Sequence, residues 1–196
     1  MAKAAGFPNW YNAAGADLAK IKAGDKETGN HYANNPPGTV VNPEMIREQV
    51  KRYDDPNDEK GHLYGAIVAS LRDYQSAKSA GKYSDYYLVY CAHYVGDLSM
   101  PLHNMDFNSF NQKYHSVIDG VVEDEVLNHP ERINIYTIKI ASEDDLVRKI
   151  ARIANLSMNL GYQLEKENRP LTKEEAYIQL GHSASLLKGI LGFLKL

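Results

Sequence analysis

The chain has 196 residues, of which 43% are hydrophobic and 24% are charged, and its formal net charge is −3 at pH 7. This length and composition suit one compact domain whose core is stable without crosslinks, and the single cysteine, Cys91, excludes an internal disulfide. The acidic balance argues against tight electrostatic binding to duplex nucleic acid or to an anionic membrane, because such binding depends on clustered Lys and Arg.

The first half of the chain contains an irregular segment followed by two predicted helices. Residues 22–43 are dense in Gly, Pro, Asn and Asp, and they are expected to be largely irregular. A helix then begins after Asn42, a plausible N-cap because Pro43 occupies the first helical position. Apolar residues recur at helical spacing over residues 60–79, and Gly81 ends this second helix.

Four more helices are predicted in the second half of the chain. They cover residues 84–101, 109–127, 143–166 and 172–194. The last of them opens at Thr172, where the sequence TKEE forms a capping box. Residues 131–140 alternate weakly like a strand, but one isolated strand has no sheet to join. The fold is therefore predicted to be all-α, as a single compact multi-helix domain.

Two His-x-x-x-Asp pairs lie on consecutive predicted helices. His93 and Asp97 are four residues apart, so their side chains leave the same face of the third helix. His115 and Asp119 repeat this spacing on the fourth helix. Either pair alone is typical of an exposed ion pair or of a hydrogen bond on a helix surface.

His103 adds a fifth polar group between these two pairs. It lies just past Pro101, where the third helix must end or kink, and it can therefore turn back toward its neighbours. Five such groups crowded in a core without a metal would repel one another or remain unpaired. Imidazole nitrogens and carboxylate oxygens without a thiolate suit Zn²⁺, and a mixed set that leaves one position open is typical of catalytic sites.

The stretch HYVGDLSMPLH at residues 93–103 resembles the signature of the zinc-dependent phospholipase C family, which is related to the fungal single-strand-specific zinc nucleases. The matching positions are His93, Tyr94, Gly96, Asp97, Pro101 and His103. The resemblance implies a mainly helical phosphodiesterase that holds a cluster of zinc ions, and it suggests a secreted or periplasmic protein.

The same resemblance implies how the ligands are divided between the ions. His103, His115 and Asp119 would hold one ion. His93 and Asp97 would hold a neighbouring ion, which an upstream Asp and His complete.

Candidates for the two upstream ligands lie near the start of the chain. His31 is in a Gly- and Asn-rich loop, where binding residues concentrate, and Asp17 precedes it by fourteen positions. Asp25 is the rival of Asp17, although a loop aspartate in this context is more often a turn former. Asp17 is also the candidate general base that would receive a proton from the attacking water.

The chain departs from the family pattern at its beginning. Members with three zinc ions start with a tryptophan that binds the third ion, whereas this sequence starts with Met1 and has Trp10 as its only tryptophan. We therefore expect a domain over residues 1–196 that lacks the family's amino-terminal metal-binding segment, with two zinc ions rather than three.

Three functions remain open from the sequence. A zinc phosphodiesterase would use metal-activated water on a phosphodiester substrate, with phospholipid favoured. A nuclease would take single-stranded nucleic acid, and a non-catalytic protein would use the metals only to hold its helices together. Stable membrane insertion is not expected, because no apolar run approaches about 18 residues. His62, at the start of the second helix, is expected to cap that helix or to be solvated.

Overall fold

The structure, a computed structural model, describes the backbone of residues 1–196 and all side chains other than those of Ala23 and Asp25. Over this described backbone 62% of the residues are helical and there is no strand, so the all-α prediction is confirmed. The α-helices of the described backbone are α1 (Gly15–Ala23), α2 (Asp25–Thr28), α3 (Pro43–Val50), α4 (Leu63–Ser79), α5 (Asp85–Leu98), α6 (Ser109–Asp119), α7 (Glu143–Glu167) and α8 (Lys173–Leu194).

The predicted helix ends are confirmed where a cap marks them. The side chain of Asn42 accepts a hydrogen bond from the Met45 amide at 2.9 Å, which starts α3. Thr172 and Glu175 form the reciprocal capping box at the start of α8. Gly81, just beyond α4, has a φ of 67°, a left-handed conformation that glycine adopts without strain.

One predicted boundary is wrong, and one predicted irregular segment is partly helical. The sequence predicts that the fourth helix continues to residue 127, but α6 ends at Asp119. Gly120 and two β-branched valines follow, and residues 120–128 form turns. The expectation that residues 22–43 are largely irregular holds for residues 32–42, whereas α2 and a 3₁₀ turn at Gly29–His31 precede them. Gly24, with a φ of 59°, separates α1 from α2.

Helix α5 is central to the core and carries the first His-x-x-x-Asp pair at its C-terminal end. Its buried face, including Tyr94 and Leu98, packs against α4, α7 and α8. Close approach of α3 to α4 requires glycine at position 65, because a Cβ there would lie 2.3 Å from the backbone carbon of Gln49. Cys91 is fully buried, and burial raises the pKa of its thiol to about 12, which disfavours the reactive thiolate.

A break in the backbone after α5 places His103. The backbone of Met100 is extended, because a proline disfavours the helical conformation for the residue before it. A 3₁₀ turn then follows at Pro101–Asn104. His103 therefore turns back toward α5, as predicted. None of the helices in the described chain combines the length and apolarity that crossing a bilayer requires.

Candidate metal centre

The side chains predicted to bind metal line one cavity of about 620 Å³. They come from α1, from the turn that follows α2, from the C-terminal end of α5, from the bend after α5, and from α6. The seven residues are Asp17, His31, His93, Asp97, His103, His115 and Asp119. The other candidate aspartate, Asp25, has a side chain outside the described residues.

The first half of the centre contains two imidazoles between two carboxylates. Asp97 Oδ2 lies 3.0 Å from His31 Nδ1 and 3.4 Å from His93 Nε2. Asp17 reaches the same imidazoles from the rim, with Oδ1 3.7 Å from His31 Nδ1 and Oδ2 3.5 Å from His93 Nε2. Ligand atoms of Asp17, His31 and His93 all lie within 4.8 Å of one another, so this group could hold a metal ion.

The spacing of these donor atoms fits a tetrahedral metal. Two ligand atoms that are each about 2.0–2.1 Å from a tetrahedral zinc ion are roughly 3.3 Å apart. The separations in the first half, from 3.0 to 3.7 Å, lie on both sides of that value. The donors are oxygen and imidazole nitrogen, a set that suits zinc and other divalent transition metals.

The second half of the centre is formed by His103, His115 and Asp119. The Nε2 atoms of the two imidazoles are 3.2 Å apart and their rings stack at an angle of 26°. Asp119 lines the cavity from the exposed end of α6, and among the described side chains it makes no hydrogen bond or ion pair. Burial and then the charge of His103 lower the pKa of His115, and Lys20 adds to this effect.

Asp97 connects the two halves. While its Oδ2 faces His31 and His93, its Oδ1 lies 3.2 Å from His103 Nδ1. The Nδ1 atom of His103 is buried without a hydrogen bond of good geometry, which leaves it dependent on this electrostatic contact. Loss of the Asp97 carboxylate would therefore disturb both halves.

His93 and Asp97 favour each other's charged forms. Burial disfavours the charged form of His93, but the charge of Asp97 and the contact with Asp17 outweigh it and raise the pKa of His93 to about 9. Burial also opposes ionisation of Asp97, yet the charges of His93 and His103 hold its pKa well below the usual range. A metal ion that binds here at neutral pH must therefore displace a proton from His93.

Two hydrogen bonds orient the imidazoles, and the sequence patterns did not reveal either of them. His93 Nδ1 donates to the carbonyl oxygen of Ala13 at 2.8 Å, which leaves Nε2 facing the carboxylates. His115 Nδ1 is 2.8 Å from Asn111 Oδ1, and the amide nitrogen of Asn111 is already used on the Leu102 carbonyl, so the imidazole donates. Such contacts are typical of histidines that bind metal, because they fix the tautomer and the ring orientation.

Glu27 is a third supporting group that sequence reasoning missed. It is buried, its Oε1 lies 3.6 Å from His31 Nε2, and it accepts hydrogen bonds from the Tyr94 hydroxyl and the Asn30 amide. His31 thus lies between Glu27 on one side and the cavity on the other. The four-residue spacing of Glu27 and His31 is the one sequence signal for this contact. It indicates a contact only if the segment is helical, and the sequence predicts an irregular segment there.

Glu27→Gln is expected to weaken zinc binding roughly 10- to 100-fold, because a neutral amide orients His31 less well and lowers its basicity. Competition with a zinc-sensitive dye measures the affinity. Glu59→Gln is the matched control, since Glu59 lines the cavity without touching a predicted ligand. Equal zinc affinities for Glu27→Gln and wild type would contradict the assigned role.

His62 occupies the N-cap position of α4, but the prediction that it caps this helix or is solvated is wrong for its side chain. His62 is fully buried, it makes no side-chain cap, and its Nδ1 lies 3.0 Å from Asp58 Oδ2. Its ring packs on Gly29, where an added Cβ would lie 2.7 Å from the imidazole. His62 therefore packs against the turn at Gly29–His31 and does not line the cavity.

Comparisons with known proteins do not assign the chain to a family. No family model, no curated protein and no solved structure matches it.

Proposed function

We propose that the protein is a zinc-dependent phosphodiester hydrolase of the phospholipase C type. The observation that carries this proposal is the convergence of seven predicted ligands, from segments far apart in sequence, on one cavity, where the donor atoms of Asp17, His31 and His93 lie within 4.8 Å of one another. The resemblance of residues 93–103 to the phospholipase C signature also supports it, and the all-helical fold agrees with that family.

The seven residues would bind two metal ions. Asp17, His31, His93 and Asp97 would hold one ion, and His103, His115 and Asp119 a second. Bound zinc supplies Lewis acidity toward phosphoryl oxygens and favours ionisation of water at neutral pH. Asp17 is the proposed proton acceptor, because its side chain is 57% exposed at the rim and an oxygen can face an entering water.

Phospholipid is the favoured substrate class because the surroundings of the centre are more apolar than basic. Leu102 and the exposed Phe107 line the cavity, whereas Lys20 is the only lysine or arginine among its described lining residues. A second cavity of about 380 Å³ is lined mostly by apolar side chains, and His93, Asp97 and Asp119 line it as well. A groove for single-stranded nucleic acid would need more cationic groups along its length.

Assays of the zinc-loaded protein on three substrates test the proposal. We expect hydrolysis of phosphatidylcholine and of bis-nitrophenyl phosphate, and little cleavage of single-stranded DNA. Faster cleavage of DNA than of the lipid would replace the lipid assignment with the nuclease, for which Phe107 offers a stacking surface. Silence on all three substrates, with zinc bound and strong unfolding by chelator, would leave only a structural role for the metals.

A further inference from the structure

Lys20 lies at the cavity and has no assigned role in holding metal. It follows Asp17 by three residues on α1, so the two side chains leave the same face of the helix and both line the cavity. The side chain of Lys20 is half-buried, and it forms no ion pair with a described side chain.

Three of the other polar donors that line the cavity donate to backbone carbonyls. The hydroxyl of Thr28 donates to the Gly24 carbonyl at 3.0 Å, and the amide of Asn34 donates to the Glu59 carbonyl at 3.1 Å. The amide of Asn111 is held by the Leu102 carbonyl at 2.8 Å. Among the described lining residues, Lys20 is the one lysine or arginine, so it offers the cavity a permanently cationic donor.

We propose that the ammonium group of Lys20 binds a non-bridging phosphoryl oxygen of the substrate. This inference rests on the proposed function and adds the residue that recognises the phosphate anion. A lysine suits the task because its compact charge carries three donors on a flexible stem, and hydrogen bonds between charged groups are roughly twice as strong as neutral ones.

Titration of the zinc-loaded protein with inorganic phosphate, followed by calorimetry, tests the assignment. We expect Lys20→Ala to weaken phosphate binding roughly 10- to 100-fold and to raise KM for bis-nitrophenyl phosphate, with zinc content unchanged. Lys20→Arg should retain most of the affinity. Lys22→Ala is the matched control, because Lys22 is on the same helix but is exposed and does not line the cavity.

Each outcome of this test decides something different. Equal phosphate affinity in Lys20→Ala and wild type would overturn the inference, and so would an equal loss in Lys22→Ala, which would indicate a diffuse charge effect. If Lys20→Ala alone loses phosphate affinity while the wild type cleaves no diester, the phosphate site stands and the proposed hydrolase fails. If the wild type cleaves diesters and Lys20→Ala does so with unchanged KM, the hydrolase stands and the Lys20 assignment fails.

Discussion

Asp97→Asn is expected to remove most zinc binding and to lower the free energy of unfolding of the metal-free protein by about 3–5 kcal/mol. The buried carboxylate faces His31 and His93 with one oxygen and His103 with the other. Asparagine keeps the shape of the side chain but removes the charge, which leaves the imidazoles without their shared partner. Elemental analysis measures the zinc, and denaturant titration measures the unfolding free energy.

The stability loss in Asp97→Asn should depend on pH in a defined direction. The pKa of Asp97 is depressed in the fold, so its contribution is present above about pH 4 and fades as the pH falls below that value. The pKa of His93 is raised to about 9, so its contribution is complete below about pH 6.5 and is lost as the pH rises through 9. The difference from wild type should therefore be largest between about pH 4 and pH 6.5.

An exposed aspartate provides the control for this substitution. Asp124 is exposed and forms no ion pair with a described side chain, so Asp124→Asn should match wild type in zinc content and stability. Wild-type zinc content in Asp97→Asn would show that the two halves do not depend on this carboxylate.

Removal of zinc by a chelator is expected to lower the melting temperature of the wild-type protein by roughly 8–16 °C. An ion present at about 1,000 times its Kd stabilises the folded state by about 4 kcal/mol, and a chain of this length gains roughly 2–4 °C per kcal/mol. The ions would connect α1, the turn at Gly29–His31, α5 and α6, which are distant in sequence. Calorimetry with and without chelator, followed by addition of zinc, measures the shift and its reversal.

The Asp97→Asn variant also serves as the control for chelation. Because it should hold little zinc, chelator should leave its melting temperature nearly unchanged. A wild-type melting temperature that is insensitive to both chelator and added zinc would mean that no stabilising metal occupies the cavity, and the proposed hydrolase would lose its foundation.

The part of the centre contributed by residues 93–119 could be predicted because local rules determine it. The four-residue spacing on α5 and α6 fixes which side chains share a face, and Pro101 fixes where the backbone turns. The structure brings these five side chains to one cavity, while their role as ligands remains a prediction.

The amino-terminal part of the centre could not be predicted with the same rules. Helix α1 has no side-chain cap and exposes Leu18 and Ile21, so neither a cap nor an apolar stripe signals it. Helix α2 forms in a Gly- and Asn-rich segment because buried Glu27 and Asn30 find partners elsewhere in the fold. These tertiary contacts override local helix propensity. Because they join residues far apart in sequence, no local sequence pattern indicates the role of Glu27.

Helix α1 buries little apolar surface, and this affects how fast a metal ion could dissociate from the first half of the centre. Ala16 is buried against the body of the protein, whereas Leu18 and Ile21 are exposed. Such a helix should detach transiently at low free-energy cost, and each opening would withdraw Asp17 and the Ala13 carbonyl together. The residence time of the ion beside His93 would then be set by fraying of α1, while the ion beside His115 would outlast many such openings.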